Sequence, residues 1–212
     1  MAAAASSAAE REVWAMCGFT YRRTPALALA RQLVEAGRIG PVRQVRAQYL
    51  QDWLHDPDAP MTWRLDKSKS GSGALGDLGA HLVDTAQWLT GQGITGVSGI
   101  LATFVKARPL SGERSGLGGH GDSGADAPRG DVTVDDAALF TARFAGGATG
   151  VFEATRFALG RKNALRIEIT APTARSPSTS RRTTCFSSST ARSRSRSRAS
   201  GGSWSPSPST RT

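Results

Sequence analysis

Three residues suited to acid–base chemistry lie at helical spacing in one glycine-rich stretch of the sequence. The stretch GSGALGDLGAHLVDTAQWLTG, residues 71–91, contains Asp77, His81 and Asp84. At about 3.6 residues per turn, this spacing puts the three side chains on one face of a helix. A carboxylate one turn from an imidazole can fix its tautomer and raise its basicity, as a general acid or base requires. The spacing therefore predicts a catalytic pair, Asp77 and His81, with Asp84 as a candidate substrate-binding residue.

Two other interpretations of this helical face stay open. In the first, Asp77 caps the helix and His81 is a half-buried structural residue that makes a hydrogen bond. In the second, the three side chains bind a metal ion. Ligands from a single helical face make a poor cage, so no metal site is predicted.

Glycines surround the start of this predicted helix, and an apolar stripe follows its opposite face. Glycine inside a helix costs about 0.5 to 1 kcal/mol relative to alanine, so its repeated use needs a compensating reason. One such reason is the approach of a bulky planar ligand to the positive end of the helix. The glycines are Gly71, Gly73, Gly76 and Gly79, and the stripe expected to pack on a sheet is Leu78, Leu82, Thr85 and Leu89.

Two further segments carry residues that could bind ligands. Tyr21, Arg22 and Arg23 lie between a predicted strand and a predicted helix, where α/β sheets bind ligands, and are candidate cofactor residues. Pairing of both arginines with surface acids is the alternative. Near the predicted helix, mixed aromatic and polar side chains suit a polyol or sugar, although Trp63 could equally belong to the core. These candidate substrate residues are Gln51, Trp53, Trp63 and Arg64, with Asp52 and Lys67 beside them.

The elements that must position these residues form two patterns. An apolar run at 13–19 predicts a buried strand, and 24–37 predicts a helix, a succession typical of an α/β domain. Beyond it, two predicted strands are joined at Gly146 and Gly147 in a hairpin turn. One helix among several such hairpin-forming strands predicts an α+β fold with a mostly antiparallel open sheet. The expected division is an α/β remnant at 1–40, an α+β domain at 41–170 with a flexible insertion at 110–130, and a low-complexity tail at 171–212.

The net charge of +10, taken alone, suggests a nucleic-acid partner, but the excess positive charge is concentrated in the tail. Eight of the 27 basic residues are arginines in the tail, which contains no acidic residue. The other 19 basic residues accompany 17 acidic ones, so the rest of the chain is close to neutral. The tail predicts either an RS-type segment that binds RNA or a frame-shifted stretch of a GC-rich gene. Permitted codons read one base out of frame give strand-like runs, which favours the frame shift.

Cysteine usage and hydropathy indicate the compartment. Cys17 and Cys185 lie far apart, so no disulfide framework is expected and a reducing cytoplasm is the predicted location. The alanine-rich start contains Glu10 and Glu12 and predicts a short helix rather than a secretory signal. No run of about 18 apolar residues occurs, so no membrane partner is predicted.

Three stretches of the sequence carry a family resemblance. They are GFTYRRTPALALARQLVEAGRIGPVRQVRAQYLQDW, WRLDKSKSGSGALGDLGAHLVDTAQWLTG and VTVDDAALFTARFAGGATGVFEATR. Together they resemble the Gfo/Idh/MocA oxidoreductases, the family of glucose-fructose oxidoreductase and inositol dehydrogenase. The resemblance implies a two-domain enzyme with NAD or NADP as cofactor, a sugar, inositol or related polyol as substrate, and a homo-oligomer formed through the sheet. It also implies proton transfer by His81 and substrate orientation by Asp77.

The sequence departs from the family pattern in two motifs. The family's Rossmann domain begins with a glycine-rich turn and carries its catalytic lysine in a Glu-Lys-Pro motif, and neither motif occurs here. GLGGHG, at 116–121, follows no predicted strand and is no substitute. We therefore expect 1–40 to be the end of a Rossmann domain, in a truncated chain that does not turn over alone. The alternatives are a non-catalytic binding or assembly module that keeps the sheet, and an RNA-associated protein acting through 192–198.

Overall fold

A six-stranded mixed sheet forms the centre of the protein. The computed structural model describes residues 2–110 and 128–172, together with the backbone of 182–189. The strands, in chain order, are β1 (Gln44–Leu50), β2 (Ile94–Ala102), β3 (Ala107–Pro109), β4 (Arg129–Asp131), β5 (Ala137–Phe144), β6 (Thr149–Thr155), β7 (Ala164–Ala171) and β8 (Arg182–Ser189). The sheet has the order β2-β5-β6-β1-β7-β8, and β3 pairs with β4 apart from it. Strands β1 and β6 are parallel and the other neighbours in the sheet are antiparallel, which confirms the α+β class with a mostly antiparallel sheet.

Helical elements cover one face of this sheet. The α-helices are α1 (Ala2–Glu10), α2 (Pro25–Glu35), α3 (Lys67–Ser70) and α4 (Ala80–Thr90). Three shorter turns join them to the rest of the chain: 3-10 turns at Thr20–Arg23 and Trp63–Leu65, and a π-helical turn at Leu75–Gly79. Across the described ranges, no helix combines the length and the hydropathy that crossing a membrane requires.

The main core lies between the sheet and the helices α2 and α4. Along β1, Val45, Ala47 and Tyr49 are buried, whereas Arg46 is exposed on the opposite face. This alternation follows from the two-residue period of a strand, which sends successive side chains to opposite faces. The helical stripe predicted from the sequence is buried, as expected: Leu78, Leu82, Thr85 and Leu89.

Helix α2 and the β5–β6 hairpin lie where the sequence predicts them. Helix α2 follows Thr24 with Pro25 in its first turn, and Gly37, at φ +64°, follows its end. Gly147, at φ +85°, closes the turn between β5 and β6. Because α2 packs on α4 in the same core, a domain boundary at residue 40 stays a prediction.

The apolar run at 13–19 does not form the predicted strand. These residues follow α1 without regular structure, and Trp14 and Met16 are 100% and 91% exposed. A strand needs a neighbour for its backbone N–H and C=O groups, and no strand of the described chain pairs with this run. The strand prediction is therefore wrong, whereas the short helix predicted before it is confirmed as α1. The assignment of 1–40 to a Rossmann domain stays a prediction.

Two predicted low-complexity regions lie largely outside the described residues. Of the insertion at 110–130, residues 111–127 lie outside them, and the last two positions belong to β4. In the tail, the backbone of 182–189 forms β8 and pairs with β7. This pairing satisfies backbone groups on the edge of β7. The RNA-binding alternative relies on 192–198, outside the described residues, and the frame shift stays a prediction.

The single helix predicted at 71–91 is divided by the π-helical turn. The N–H group of Ala80 donates to the carbonyl of Leu75, five residues earlier, and α4 begins only at Ala80. A turn with this longer repeat changes the angle between side chains on either side of it. Asp77, inside the turn, and His81, after it, therefore do not have the relation of a regular α-helix.

Close packing inside the chain explains the glycines before this turn. The carboxylate of Asp135 accepts hydrogen bonds from the N–H groups of Gly73, at 2.8 Å, and Leu75, at 2.6 Å. A Cβ at Gly73 would overlap the carbonyl oxygen of Asp135, and one at Gly76 would overlap the hydroxyl of Ser72. Gly73 and Gly76 therefore let the chain approach its own backbone and side chains. The approach of a planar ligand to this end of the helix stays a prediction.

Replacing Gly73 with alanine should destabilise the protein by about 2 kcal/mol or more, because the new Cβ forces the Asp135 contact apart. Gly96→Ala is the matched control, since a Cβ there meets no atom within 4 Å. Its free energy of unfolding should stay within about 1 kcal/mol of the wild type. Urea denaturation followed by circular dichroism measures both variants, and equal stabilities would contradict the close packing at Gly73.

Asp52 joins the end of β1 to the loop before β7. Its side chain is buried, and its carboxylate accepts hydrogen bonds from Gly160 N–H and the Lys162 ammonium, each at 3.0 Å. Burial alone would raise the pKa of Asp52, but the hydrogen bonds from Lys162 and Gly160 outweigh it and lower the pKa. The stabilisation is therefore complete above the unfolded pKa of about 3.9 and is lost as the pH falls through the lower folded pKa.

Asp52→Asn should lower the free energy of unfolding by about 1 to 2 kcal/mol at neutral pH. The difference from the wild type should close as the pH falls below about 3.9. Asp58→Asn removes only an exposed pair with Arg129 and should cost less than about 0.5 kcal/mol. Chemical denaturation at several pH values measures these differences. An Asp52→Asn effect that stays constant through the acid range would contradict the role given to the carboxylate.

Candidate active site

A cleft of about 290 Å³ lies beside the π-helical turn. Three of the residues predicted from the sequence as site residues meet there: Trp63, Arg64 and Asp77. The remaining lining residues are Ser70, Ser72, Gly76 and Arg156. The cleft therefore combines an aromatic ring, hydroxyl groups and charges of both signs, a mixture suited to a polar ligand with an apolar face.

Trp63 lies on the wall of this cleft and not in the core. The residue is 54% exposed, and the guanidinium of Arg64 lies 4.5 Å from its ring centroid. The alternative of a core tryptophan is excluded by this exposure. An exposed indole gives the cleft an apolar platform beside polar groups.

Asp77 faces a buried guanidinium. Its Oδ2 atom lies 3.9 Å from Nη1 of Arg156, and its side chain is 43% exposed. Arg156 directly follows β6, is 1% exposed, and has its guanidinium 5.4 Å from the ring centroid of Trp53. Burial lowers the pKa of Arg156, and the negative charge of Asp77 is the main opposing effect. The 3.9 Å separation exceeds a hydrogen bond, so neither group satisfies the other directly.

His81, the second residue of α4, lies among three aromatic rings. Its ring centroid is 5.3 Å from Tyr21, 5.8 Å from Phe19 and 6.0 Å from Tyr49. Its Nδ1 atom is buried and has no hydrogen-bond partner in the described part of the chain. The charged group near the Asp77 carboxylate is the guanidinium of Arg156, at 3.9 Å. The catalytic roles of both residues stay predictions.

A hydrogen-bond network extends from these rings to Trp53. The hydroxyls of Tyr21 and Tyr49 are 2.7 Å apart, and Tyr49 donates to Oδ1 of Asn163 at 2.7 Å. Gln51 donates to the same oxygen at 3.0 Å and accepts from the indole N–H of Trp53 at 2.9 Å. Burial and the hydrogen bond with Tyr21 raise the pKa of Tyr49, so its hydroxyl keeps its proton at neutral pH. The network fixes Gln51 and Trp53, two predicted substrate residues, relative to Tyr21.

Asp84 and Arg22 pair with each other. Nε of Arg22 donates to Oδ2 of Asp84 at 2.9 Å, and its Nη2 donates to Oδ1. The hydrogen bonds to Asp84 raise the pKa of Arg22. Asp84 does not line the described cleft, and Arg23 is exposed. Of the two arginines, Arg22 therefore pairs with an acidic residue, as the alternative to cofactor binding predicts. Substrate binding by Asp84 and cofactor binding by Tyr21, Arg22 and Arg23 stay predictions.

The described residues do not fit a dinucleotide cofactor. Its phosphates need backbone N–H groups in a glycine-rich turn between a strand and a helix. In the described chain, helix α2 follows a 3-10 turn and α4 follows the π-helical turn, and Arg22 already pairs with Asp84. Over the same residues, no group of three or more His, Cys, Asp or Glu side chains is placed to bind a metal ion. Chemistry can therefore be derived only for the groups around the cleft and His81.

Three residues of this site were missed by sequence reasoning. Tyr49 carried a signal, because strand alternation places its hydroxyl on a buried face where it needs a partner. Arg156 carried none, since arginine directly after a strand is usually exposed. Asn163 meets Gln51 and Tyr49 across 112 and 114 residues of sequence, so only the folded chain brings them together.

Comparisons with known proteins agree on one family. The model of the GFO/IDH/MocA C-terminal domain matches residues 27–175. The chain is 45% identical to the levoglucosan dehydrogenase of Pseudarthrobacter phenanthrenivorans over 161 residues, which are 76% of this chain and 40% of that protein. An oxidoreductase domain protein from Kribbella flavida is similar in structure, with a TM-score of 0.73 and 59% identity over 88% of this chain and 45% of that one. Levoglucosan dehydrogenase in complex with NADH and levoglucosan gives a TM-score of 0.63 and 42% identity over 74% of this chain and 38% of that one.

The chain spans less than half the length of each of these relatives. The matched residues nevertheless include strands β1 to β7, helix α4 and every residue that lines the cleft. This protein therefore belongs to the Gfo/Idh/MocA family of oxidoreductases, of which it carries the C-terminal domain.

Proposed function

We propose that this chain binds a sugar in the cleft beside Asp77 and takes part in an NAD-dependent oxidation or reduction of that sugar. The observation that carries the proposal is the make-up of the cleft, in which an exposed indole lies beside a carboxylate acceptor and a guanidinium donor. A relative named levoglucosan dehydrogenase, with a structure containing NADH and levoglucosan, supports NAD over NADP and a sugar over inositol. A cytoplasmic location remains part of the proposal.

His81 is the proposed proton-transfer residue. When a sugar hydroxyl becomes a carbonyl, its oxygen loses a proton, and a neutral imidazole can accept it. The three rings around His81 restrict the orientation of the imidazole, which a proton acceptor needs. Asp77 would orient the substrate by accepting a hydrogen bond from one of its hydroxyls. No step is derived through the dinucleotide, because the described residues do not fit it.

A non-catalytic sugar-binding or assembly module is the second candidate. Sugar binding needs only the cleft, whereas turnover needs the cofactor. Under this alternative the chain binds sugar but does not oxidise it alone.

Levoglucosan should change the tryptophan fluorescence of the protein, because Trp63 lines the cleft and Trp53 contacts Arg156. The same titration with NAD⁺ present, followed by NADH absorbance, measures turnover. Binding with NADH formation supports the oxidoreductase, and binding without any response to NAD⁺ or NADH supports the module. A protein that binds no sugar contradicts the oxidoreductase and the sugar-binding module and supports the assembly module.

Under conditions in which the titration above gives NADH, His81→Asn should lower turnover by at least about 100-fold while sugar affinity stays within about threefold of the wild type. His55→Asn is the matched control, because His55 is exposed and bonds only to the carbonyl of Asp52. The control should keep both turnover and affinity. Unchanged turnover in His81→Asn would remove the proposed proton-transfer role.

We also propose that a homo-oligomer forms through the face of the sheet opposite the helices. On this face Leu139 and Val151 are 42% and 47% exposed, an unusual environment for aliphatic side chains at the middle of a sheet. Charges of both signs lie beside them. In the strand register, Arg46 of β1 lies between Val151 of β6 and Glu168 of β7. A surface that mixes apolar groups with both charges can pair with a second copy of itself.

Val151→Glu should shift the protein toward the monomer in sedimentation velocity, because it places a charge among the apolar groups of this face. Leu159→Glu is the control, since Leu159 is 74% exposed in the loop after β6. The control should sediment like the wild type. A wild type that is monomeric at every concentration would overturn this interface.

A further inference from the structure

We infer that Arg156 binds the sugar directly, and that with Asp77 it holds one neutral hydroxyl between a donor and an acceptor. This inference rests on the proposed function, and it adds a residue that carried no sequence signal. It also narrows the substrate class to polyols that present a free hydroxyl at this position and carry no acidic group there.

Arg156 is buried with most of its hydrogen-bonding capacity unused. The residue is 1% exposed, and its guanidinium carries five N–H donors. Among the described residues, Nη2 donates to the backbone carbonyl of Asp135 at 2.8 Å, whereas Nε has no partner. Buried polar groups are nearly always satisfied. Nη1, 3.9 Å from Asp77 in the same cleft, is the donor for which a ligand can supply the acceptor.

The nearby carboxylates do not supply that acceptor. The carboxylate of Asp135 accepts from backbone N–H groups of the glycine-rich approach. Oδ2 of Asp136 accepts from the N–H groups of Phe104 and Val105, and its Oδ1 has no partner in the described part of the chain, that of Arg156 included. In the described part of the chain, the nearest carboxylate contact of Arg156 is therefore the 3.9 Å separation from Asp77.

The separation of 3.9 Å between Nη1 of Arg156 and Oδ2 of Asp77 fits one bridging hydroxyl. A hydroxyl oxygen can accept from a guanidinium and donate to a carboxylate at about 2.7 to 3.0 Å each. A hydroxyl is the group for this position because it is donor and acceptor at once. A carboxylate or phosphate would accept from Arg156 but would face the like charge of Asp77.

The surroundings hold the guanidinium in place before the ligand arrives. The ring of Trp53 lies 5.4 Å from it, and the Asp135 carbonyl holds its Nη2 atom. Trp53 is itself held by Gln51 through the indole N–H. A donor that is already fixed loses little conformational entropy on binding, so its hydrogen bond contributes more to affinity.

The test measures levoglucosan affinity by calorimetry for the wild type and Arg156→Lys. Lysine keeps the positive charge but lacks the planar set of donors, so affinity should fall by about tenfold or more. Arg108→Lys is the matched control. Arg108 is also fully buried, but both its Nη1 and Nη2 atoms donate to carbonyls, those of Leu54, Asp56 and Ala59, and it does not line the cleft, so affinity should stay within about twofold.

Monodeoxy derivatives of levoglucosan identify the bridging hydroxyl. One of them should bind the wild type about tenfold or more weakly than levoglucosan, and should bind Arg156→Lys as tightly as levoglucosan does. Side-chain NMR of isotope-labelled arginine in the wild type gives an independent measurement if Arg156→Lys does not fold. The Arg156 signal should move on saturation with levoglucosan, and the Arg108 signal should not.

Two negative results are distinguishable. A wild type without affinity for levoglucosan overturns the proposed function and this inference with it. A wild type that binds levoglucosan with an unmoved Arg156 signal, or with unchanged affinity in a folded Arg156→Lys, overturns the inference alone.

Discussion

The buried guanidinium of Arg156 is the interaction on which the candidate site depends. Taking a charge out of water is expensive, and this one is stabilised by the Asp135 carbonyl, by the ring of Trp53 and by carboxylates that are near but not hydrogen-bonded to it. Asp135 also binds the N–H of Gly73, so the same short segment before β5 positions both the arginine and the approach to Asp77. The segment thus positions the Arg156 guanidinium, Gly73 and the Asp77 carboxylate together, as one unit.

A second set of interactions positions His81 without touching that unit directly. Tyr49 projects from the buried face of β1, contacts the imidazole ring and donates a hydrogen bond to Oδ1 of Asn163, which lies just before β7. Gln51 and Trp53 join this network to the neighbourhood of Arg156. The sheet therefore supports both parts of the site, because β1, β6 and β7 are neighbours in it. A site held by adjacent strands keeps its geometry better than one held by loops alone.

The sequence predicted the elements whose patterns are local. The stripe from Leu78 to Leu89, the start of α2 at Pro25 and the β5–β6 turn at Gly147 follow from periodicity and backbone preference, and they were confirmed. The strand at 13–19 failed because an apolar run forms a strand only beside a partner. The π-helical turn was not predicted, because one extra residue in a single turn does not change the spacing of apolar residues enough to be recognised. Trp63 and Asp77, predicted from residue type and spacing, line the described cleft, whereas the burial of Arg156 depends on residues distant in sequence.

The most direct test of this account is a crystal structure of the protein with levoglucosan bound. The account predicts that the sugar lies in the cleft beside Trp63, with one hydroxyl oxygen about 3 Å from both Nη1 of Arg156 and Oδ2 of Asp77. A sugar bound in this cleft without contact to Arg156, or bound elsewhere on the protein, would contradict it.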